Sequence, residues 1–161
     1  MKPNPLLLRR VLAVVLVAMA GMAFAVPLPY NEAANAKTDI EQALAAASTT
    51  RRSVLVIFGA NWCPDCRALD AALKNAKTAE LIAKEFIVVK VDVGNFDRNL
   101  SVAEQYGNPI KRGIPAAVVL SPGSQVLYTT RMGELSDARR MSETGVYDFF
   151  SAVVSSTKGK K

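Results

Sequence analysis

The sequence predicts an α/β fold: a central mixed β-sheet, built from a parallel βαβ unit plus an antiparallel hairpin, flanked by helices. Three observations carry this. Ser53-Val54-Leu55-Val56-Ile57-Phe58 and Phe86-Ile87-Val88-Val89-Lys90-Val91-Asp92-Val93 are apolar, β-branched runs of the kind that form buried strands. Helical periodicity fills the interval between them, and strands joined by a helical crossover run parallel. Ser121-Pro122-Gly123-Ser124 is a turn with proline at its second position, so Ala116–Leu120 and Gln125–Thr130 pair as an antiparallel hairpin.

A chain of 161 residues allows one domain with a real core. Residues 1–25 stand apart from it. Lys2, Arg9 and Arg10 precede an apolar run from Val11 to Ala20, and Gly21-Met22-Ala23-Phe24-Ala25 ends it with small residues. That order is the form of a secretory signal, with cleavage expected after Ala25. Left uncleaved, the same stretch approaches spanning length and is a membrane anchor, the chain's one expected contact with a membrane. Export to a periplasmic or similar compartment places the cysteines where an unpaired dithiol becomes oxidised unless something reduces it. A membrane-derived electron donor is therefore expected.

The formal charge of +6 overstates the mature part. Without Lys2, Arg9 and Arg10, 17 basic residues face 14 acidic ones, a net of +3. Lys158, Lys160 and Lys161 lie in a basic tail over 157–161 that reads as a solvated end. No basic patch is interleaved with aromatics, which excludes nucleic acid as a partner. A monomer is expected.

The domain itself is assigned to residues 38–156. Residues 26–37, rich in Pro, Asn and Ala without periodicity, read as a linker. Thr38-Asp39-Ile40-Glu41 has the form of a capping box, and Ile40, Ala43, Leu44 and Ala47 share a face, which predicts a helix to about Thr49. After the first strand, Ala68, Leu69, Ala72 and Leu73 share another helical face, and Ala79 to Lys84 continues helically. Gly94-Asn95-Phe96-Asp97 reads as a turn and Ser101–Tyr106 as a short helix. Gly133 ends the hairpin, and Val146, Phe149, Phe150, Val153 and Val154 predict a last helix against the sheet.

The chemistry sits at the first strand-to-helix junction, Phe58-Gly59-Ala60-Asn61-Trp62-Cys63-Pro64-Asp65-Cys66, where the chain's two cysteines are separated by two residues. Unpaired N–H groups and a dipole end of about half an elementary charge favour a thiolate on Cys63, the reactive form of the residue. Pro64 suits the first helical turn because its missing N–H leaves no helical bond unmade. Cys66, about one turn on, faces the same way and can displace what Cys63 has captured. Other readings fit less well. A disulfide across so short a loop restrains the unfolded chain very little. Zinc needs four ligands, and the chain has no histidine and no third cysteine. Haem attachment needs a histidine where Arg67 stands. No metal and no cofactor beyond the redox-active pair is expected.

The chain resembles the thioredoxin-fold proteins in Val54 to Cys66, Val88-Val89-Lys90-Val91-Asp92, Gln105-Tyr106-Gly107, Arg112-Gly113-Ile114-Pro115 and Gly133, which fall in that family's order. The resemblance implies a cis bond at Ile114–Pro115, with Gly113, Ile114 and Pro115 lying against the cysteines and presenting backbone to a substrate strand. It implies that Trp62 packs beside the motif and that Lys90 lies near the redox pair, although Lys90 reads equally as a strand-end lysine with its head in water. One position departs from the family. Its relatives carry a buried acid before the motif, thought to assist deprotonation of the second cysteine, where this chain has Ile57. Asp65 is then the nearest candidate to handle that proton.

Function follows as an expectation: an exported thiol–disulfide oxidoreductase acting on protein thiols and disulfides. Asp65 sets a negative charge beside the developing thiolate and disfavours it, which points to a reductase. The alternatives are a thioredoxin-fold binding or chaperone module whose thiols are incidental, and a reductant dedicated to cytochrome c maturation.

Overall fold

The computed structural model describes residues 27–142 and 144–159. The expected signal, its expected cleavage site and the end of the basic tail lie outside them. Strand β1, Ser53–Gly59, is buried along its whole length and lies inside a four-stranded sheet of order β2-β1-β3-β4. Its continuous apolar sequence is required because helices cover both of its faces. Strand β2, Phe86–Asp92, runs parallel to it in a register that sets Ile57 beside Lys90 and Gly59 beside Asp92. β3, Ala116–Leu120, is antiparallel to β1, and β4, Val126–Thr129, is antiparallel to β3 with a bulge between Val119 and Leu120.

Period-two alternation divides the sheet between two cores. Val54, Val56, Phe58, Val89 and Val91 pack with Ile40, Ala43 and Ala47 of α1, Ala36–Thr50. On the opposite face, Leu55 and Ile57 meet Leu69 and Leu73 of α2, Pro64–Leu73, Ile82 of α3, Ala76–Glu85, and Phe150, Val153 and Val154 of the last helix. Each such side chain, fully buried, contributes roughly 1.5–3 kcal/mol of hydrophobic stabilisation. Phe149 is half-buried at the rim of this core, edge-on to Tyr128 and Phe150. No helix among the described residues is long and apolar enough to cross a membrane.

Three boundaries differ from the sequence reading. α1 is capped by Asn35, whose side chain accepts the Thr38 N–H at 3.2 Å, so the capping box at Thr38 is displaced by an earlier Asn cap that brings Ala36 into the core. α3 begins at Ala76, about one turn before Ala79, because Thr78 is buried on its inner face. Residues 27–37 are more than a linker, since Tyr30 is 4% exposed. Beyond β2, α4 spans Leu100–Gln105 and a 3-10 turn spans Pro109–Arg112. A second 3-10 turn, Ala138–Arg140, precedes α5, Gly145–Thr157.

Candidate active site

β1 delivers the chain to Gly59, and Ala60-Asn61-Trp62 turns it into α2, the Cys63 N–H closing onto the Ala60 carbonyl at 3.2 Å. Cys63 is the N-cap of α2. Its backbone is extended, and its sulfur accepts the Cys66 N–H at 3.1 Å, the place a capping oxygen takes in other helices. Pro64 follows at the first helical position. Both cysteines are free thiols, Cys63 with 3% of its surface exposed and Cys66 with none. A partner sulfur arriving from solvent therefore meets Cys63 first. Burial pushes the Cys66 thiol well above its ordinary range, reinforced by its hydrogen bond with Cys63 and opposed by hydrogen bonds from the Ala60 backbone and Tyr30.

The Ile114–Pro115 peptide is cis, and the Cys63 thiol donates to the Ile114 carbonyl at 3.6 Å. Gly113, beside it, has φ +112°, and a Cβ there would stand 3.0 Å from the Ser136 Cβ. Ser136 is itself tied to the Gly133 carbonyl through its hydroxyl (2.7 Å) and its N–H (2.9 Å), so a tight turn after β4 braces the loop that faces the sulfur. Ser136 escaped the sequence reading. The glycine at position 133, whose φ is +78°, was the local signal of that turn.

Trp62 is 52% exposed. Its indole N–H donates to the Gly94 carbonyl at 2.8 Å, and its ring meets Phe96 edge-on at 6.3 Å, so the segment after β2 holds an aromatic pair beside the cysteines. Asp92, buried, fixes that segment by accepting from the Gly94 N–H and from Arg98. Asp65 is turned elsewhere. Its carboxylate accepts the Arg139 N–H at 3.0 Å with the Arg139 side chain 3.6 Å away, which pins the Ala138–Arg140 turn to α2. Lys90 pairs with Asp70 of α2, which also binds Lys74 at 2.8 Å. Burial alone would raise the Asp70 carboxyl, but the hydrogen bonds and charges of Lys74 and Lys90 outweigh it and hold it below the usual range.

Ile57, at the position of the missing acid, is 1% exposed and packs in the core of α2 and α5. What reaches Cys66 instead is Tyr30, from the segment before α1. Its hydroxyl and the Cys66 sulfur meet at Gly59, where a Cβ would overlap the hydroxyl and lie 2.9 Å from the sulfur. Burial raises the phenol far above its usual range, and the two cysteines add to the shift. Asn61 clasps the same residue, accepting the Tyr30 N–H and donating to the Tyr30 carbonyl, both at 2.9 Å. Tyr30 carries no periodic pattern, and the flanking Pro27, Pro29 and Asn31 mark only turn-prone chain.

A dithiol at the start of a helix, on a mixed sheet and facing a cis-proline loop, defines a thiol–disulfide oxidoreductase. The thioredoxin-like family model matches residues 35–122, more than half of the chain, and the chain belongs to that family. A disulphide isomerase from Xylella fastidiosa Temecula1 is 55% identical over 81% of this chain and 99% of its own, with a TM-score of 0.79. A thioredoxin of Buchnera aphidicola subsp. Baizongia pistaciae is 32% identical over 102 residues, which span 61% of this chain and 81% of the relative. A thioredoxin from Thermus thermophilus shares the fold at 21% identity and a TM-score of 0.51, covering 71% of this chain and 81% of its own.

Proposed function

We propose that the protein is an exported reductase of protein disulfides. The Cys63 thiolate attacks one sulfur of a client disulfide, forming a Cys63–client bond and expelling the other client sulfur as a thiolate. Cys66 then attacks the Cys63 sulfur, the Cys63–Cys66 disulfide forms, and the second client sulfur leaves. Two electrons pass to the client, and a dithiol donor, expected to be membrane-derived, restores the pair. The observation that carries this reading is the order of the two sulfurs. Cys63 lies at the rim and is capped by the Cys66 N–H at 3.1 Å, while Cys66 lies wholly covered behind it. Gly113, Ile114 and Pro115 are assigned to the client backbone, and Trp62 to the apolar rim around it.

The reductase direction is supported by Asp65 in the first turn of α2 and by the lack of any histidine in the sequence to stabilise the thiolate. Arg139, half-exposed, offsets part of the Asp65 charge. Equilibration with glutathione tests the direction: a potential near thioredoxin's, about −270 mV, supports a reductase, and one above the roughly −200 mV of glutaredoxins excludes it. Replacing both cysteines with serine should abolish insulin-disulfide reduction, whereas a binding module would keep its cellular role.

A second reading, disulfide isomerisation, is favoured by the 55% identity to a disulphide isomerase. It uses the same attack by Cys63, with a client thiol in place of Cys66 completing the exchange. Recovery of activity from scrambled ribonuclease, measured beside insulin reduction, separates the two.

A further inference from the structure

We infer that Tyr30 is the positioning residue for the second half of the exchange: its hydroxyl donates a hydrogen bond to the Cys66 sulfur and steadies the thiolate formed there. The inference rests on the dithiol cycle proposed above and names the group that serves where the family's buried acid is replaced by Ile57.

Three features of the structure converge on it. The phenol is buried at 4% exposure, and its hydroxyl and the Cys66 sulfur both lie against Gly59, where any side chain would overlap the hydroxyl. The segment carrying it is fastened by a reciprocal pair of hydrogen bonds, both 2.9 Å, to Asn61, a residue of the loop that leads into Cys63. Asn61 also donates to Glu32 at 3.0 Å, adding a third tie to the same segment. The clasp therefore couples the position of the hydroxyl to that of the cysteines. Residue 30 precedes the part of the chain matched by the thioredoxin-like model, which begins at residue 35.

The other groups around Cys66 do not take this role. Asp65 is bound to Arg139, and Asp70 is bound to both Lys74 and Lys90. β1 presents Ile57 and Gly59, neither of which titrates, and the Ala60 backbone gives one further hydrogen bond. Cys63 is the remaining ionisable neighbour and is consumed in the mixed disulfide when Cys66 must ionise.

The step balances without further reagents. Cys66 loses one proton and the departing client thiolate takes up one. The Cys63–client bond breaks as the Cys63–Cys66 bond forms, and the client disulfide is the oxidant. Tyr30 keeps its proton throughout. It acts as a donor, because burial far from water opposes a phenolate.

Stopped-flow reaction of the reduced protein with dithionitrobenzoate tests this, since that aromatic disulfide releases one coloured thiolate when Cys63 attacks and a second when Cys66 resolves. Tyr30→Phe keeps the ring and removes the hydroxyl. The expected result is a first phase unchanged within twofold and a second phase slowed about ten- to a hundredfold, the span of one hydrogen bond to a charged group. The pH profile of the second phase should also move to higher pH. Asn61→Ala, which keeps the phenol but releases the segment that positions it, should slow the second phase in the same direction by a smaller factor. A second phase and pH profile unaltered in Tyr30→Phe would overturn the inference, as would equal slowing of both phases, which marks a purely structural role. Wild-type protein that releases no second thiolate would instead overturn the dithiol cycle itself.

Discussion

The Cys66 N–H donates to the Cys63 sulfur at 3.1 Å, so the residue that ends the exchange also caps the residue that begins it. Cys63 keeps a little exposed surface at the cap, while the sulfur of Cys66 has none and burial pushes its thiol well above the ordinary range. The two cysteines thus differ in reactivity for reasons of position alone.

Limited alkylation of the reduced protein should therefore mark Cys63 at least about tenfold faster than Cys66 at neutral pH, because the thiolate is the reacting species. Peptide mapping by mass spectrometry after brief iodoacetamide treatment reads the ratio. Equal labelling of the two positions would contradict the asymmetry.

Asp65 is held by the Arg139 N–H at 3.0 Å and by its side chain at 3.6 Å. Asp65→Ala removes the anchor of the Ala138–Arg140 turn on α2 and should cost about 1.5–3 kcal/mol of stability, the range of a hydrogen bond to a charged acceptor. The pH dependence of the resolving step should stay that of wild type. Urea unfolding and the same stopped-flow profile check both statements, and a shifted profile would return Asp65 to the proton-handling role that the sequence suggested.

Asp70 sits between Lys74 and Lys90 and titrates below its ordinary value. A carboxyl depressed in the folded state stabilises the protein fully above its unfolded value of about 3.9, and that contribution is lost as the pH falls through the lower folded value. Wild type should exceed Asp70→Asn in urea stability at pH 7, and the difference should shrink below about pH 4. A difference constant from neutral to acid pH would rule out the ion pairs as its source.

How much of this was legible before the structure depended on the range of the interactions. Ser53 to Phe58 is apolar at every position but its first, and a proline follows Cys63, so the strand, the helix start and the order of the cysteines are written in neighbouring residues. Ile114–Pro115 and the turn at Ser121–Ser124 carry local proline signals of the same kind. Tyr30 finds Asn61 across 31 positions, Asp65 finds Arg139 across 74, and Asp70 finds Lys90 across 20. None of these pairs leaves a mark on local periodicity, because each side chain is selected by a partner brought up by another element. The Ala138–Arg140 turn, too short to show a period, hid the partner of Asp65, and the aperiodic stretch before α1 hid Tyr30.

The most direct measurement is single-turnover trapping with a client disulfide, comparing Cys66→Ala with Cys63→Ala. The account predicts that Cys66→Ala accumulates a client disulfide on Cys63 and that Cys63→Ala accumulates none on Cys66. Capture of client by Cys66 in the absence of Cys63, or no capture by either variant, would contradict it.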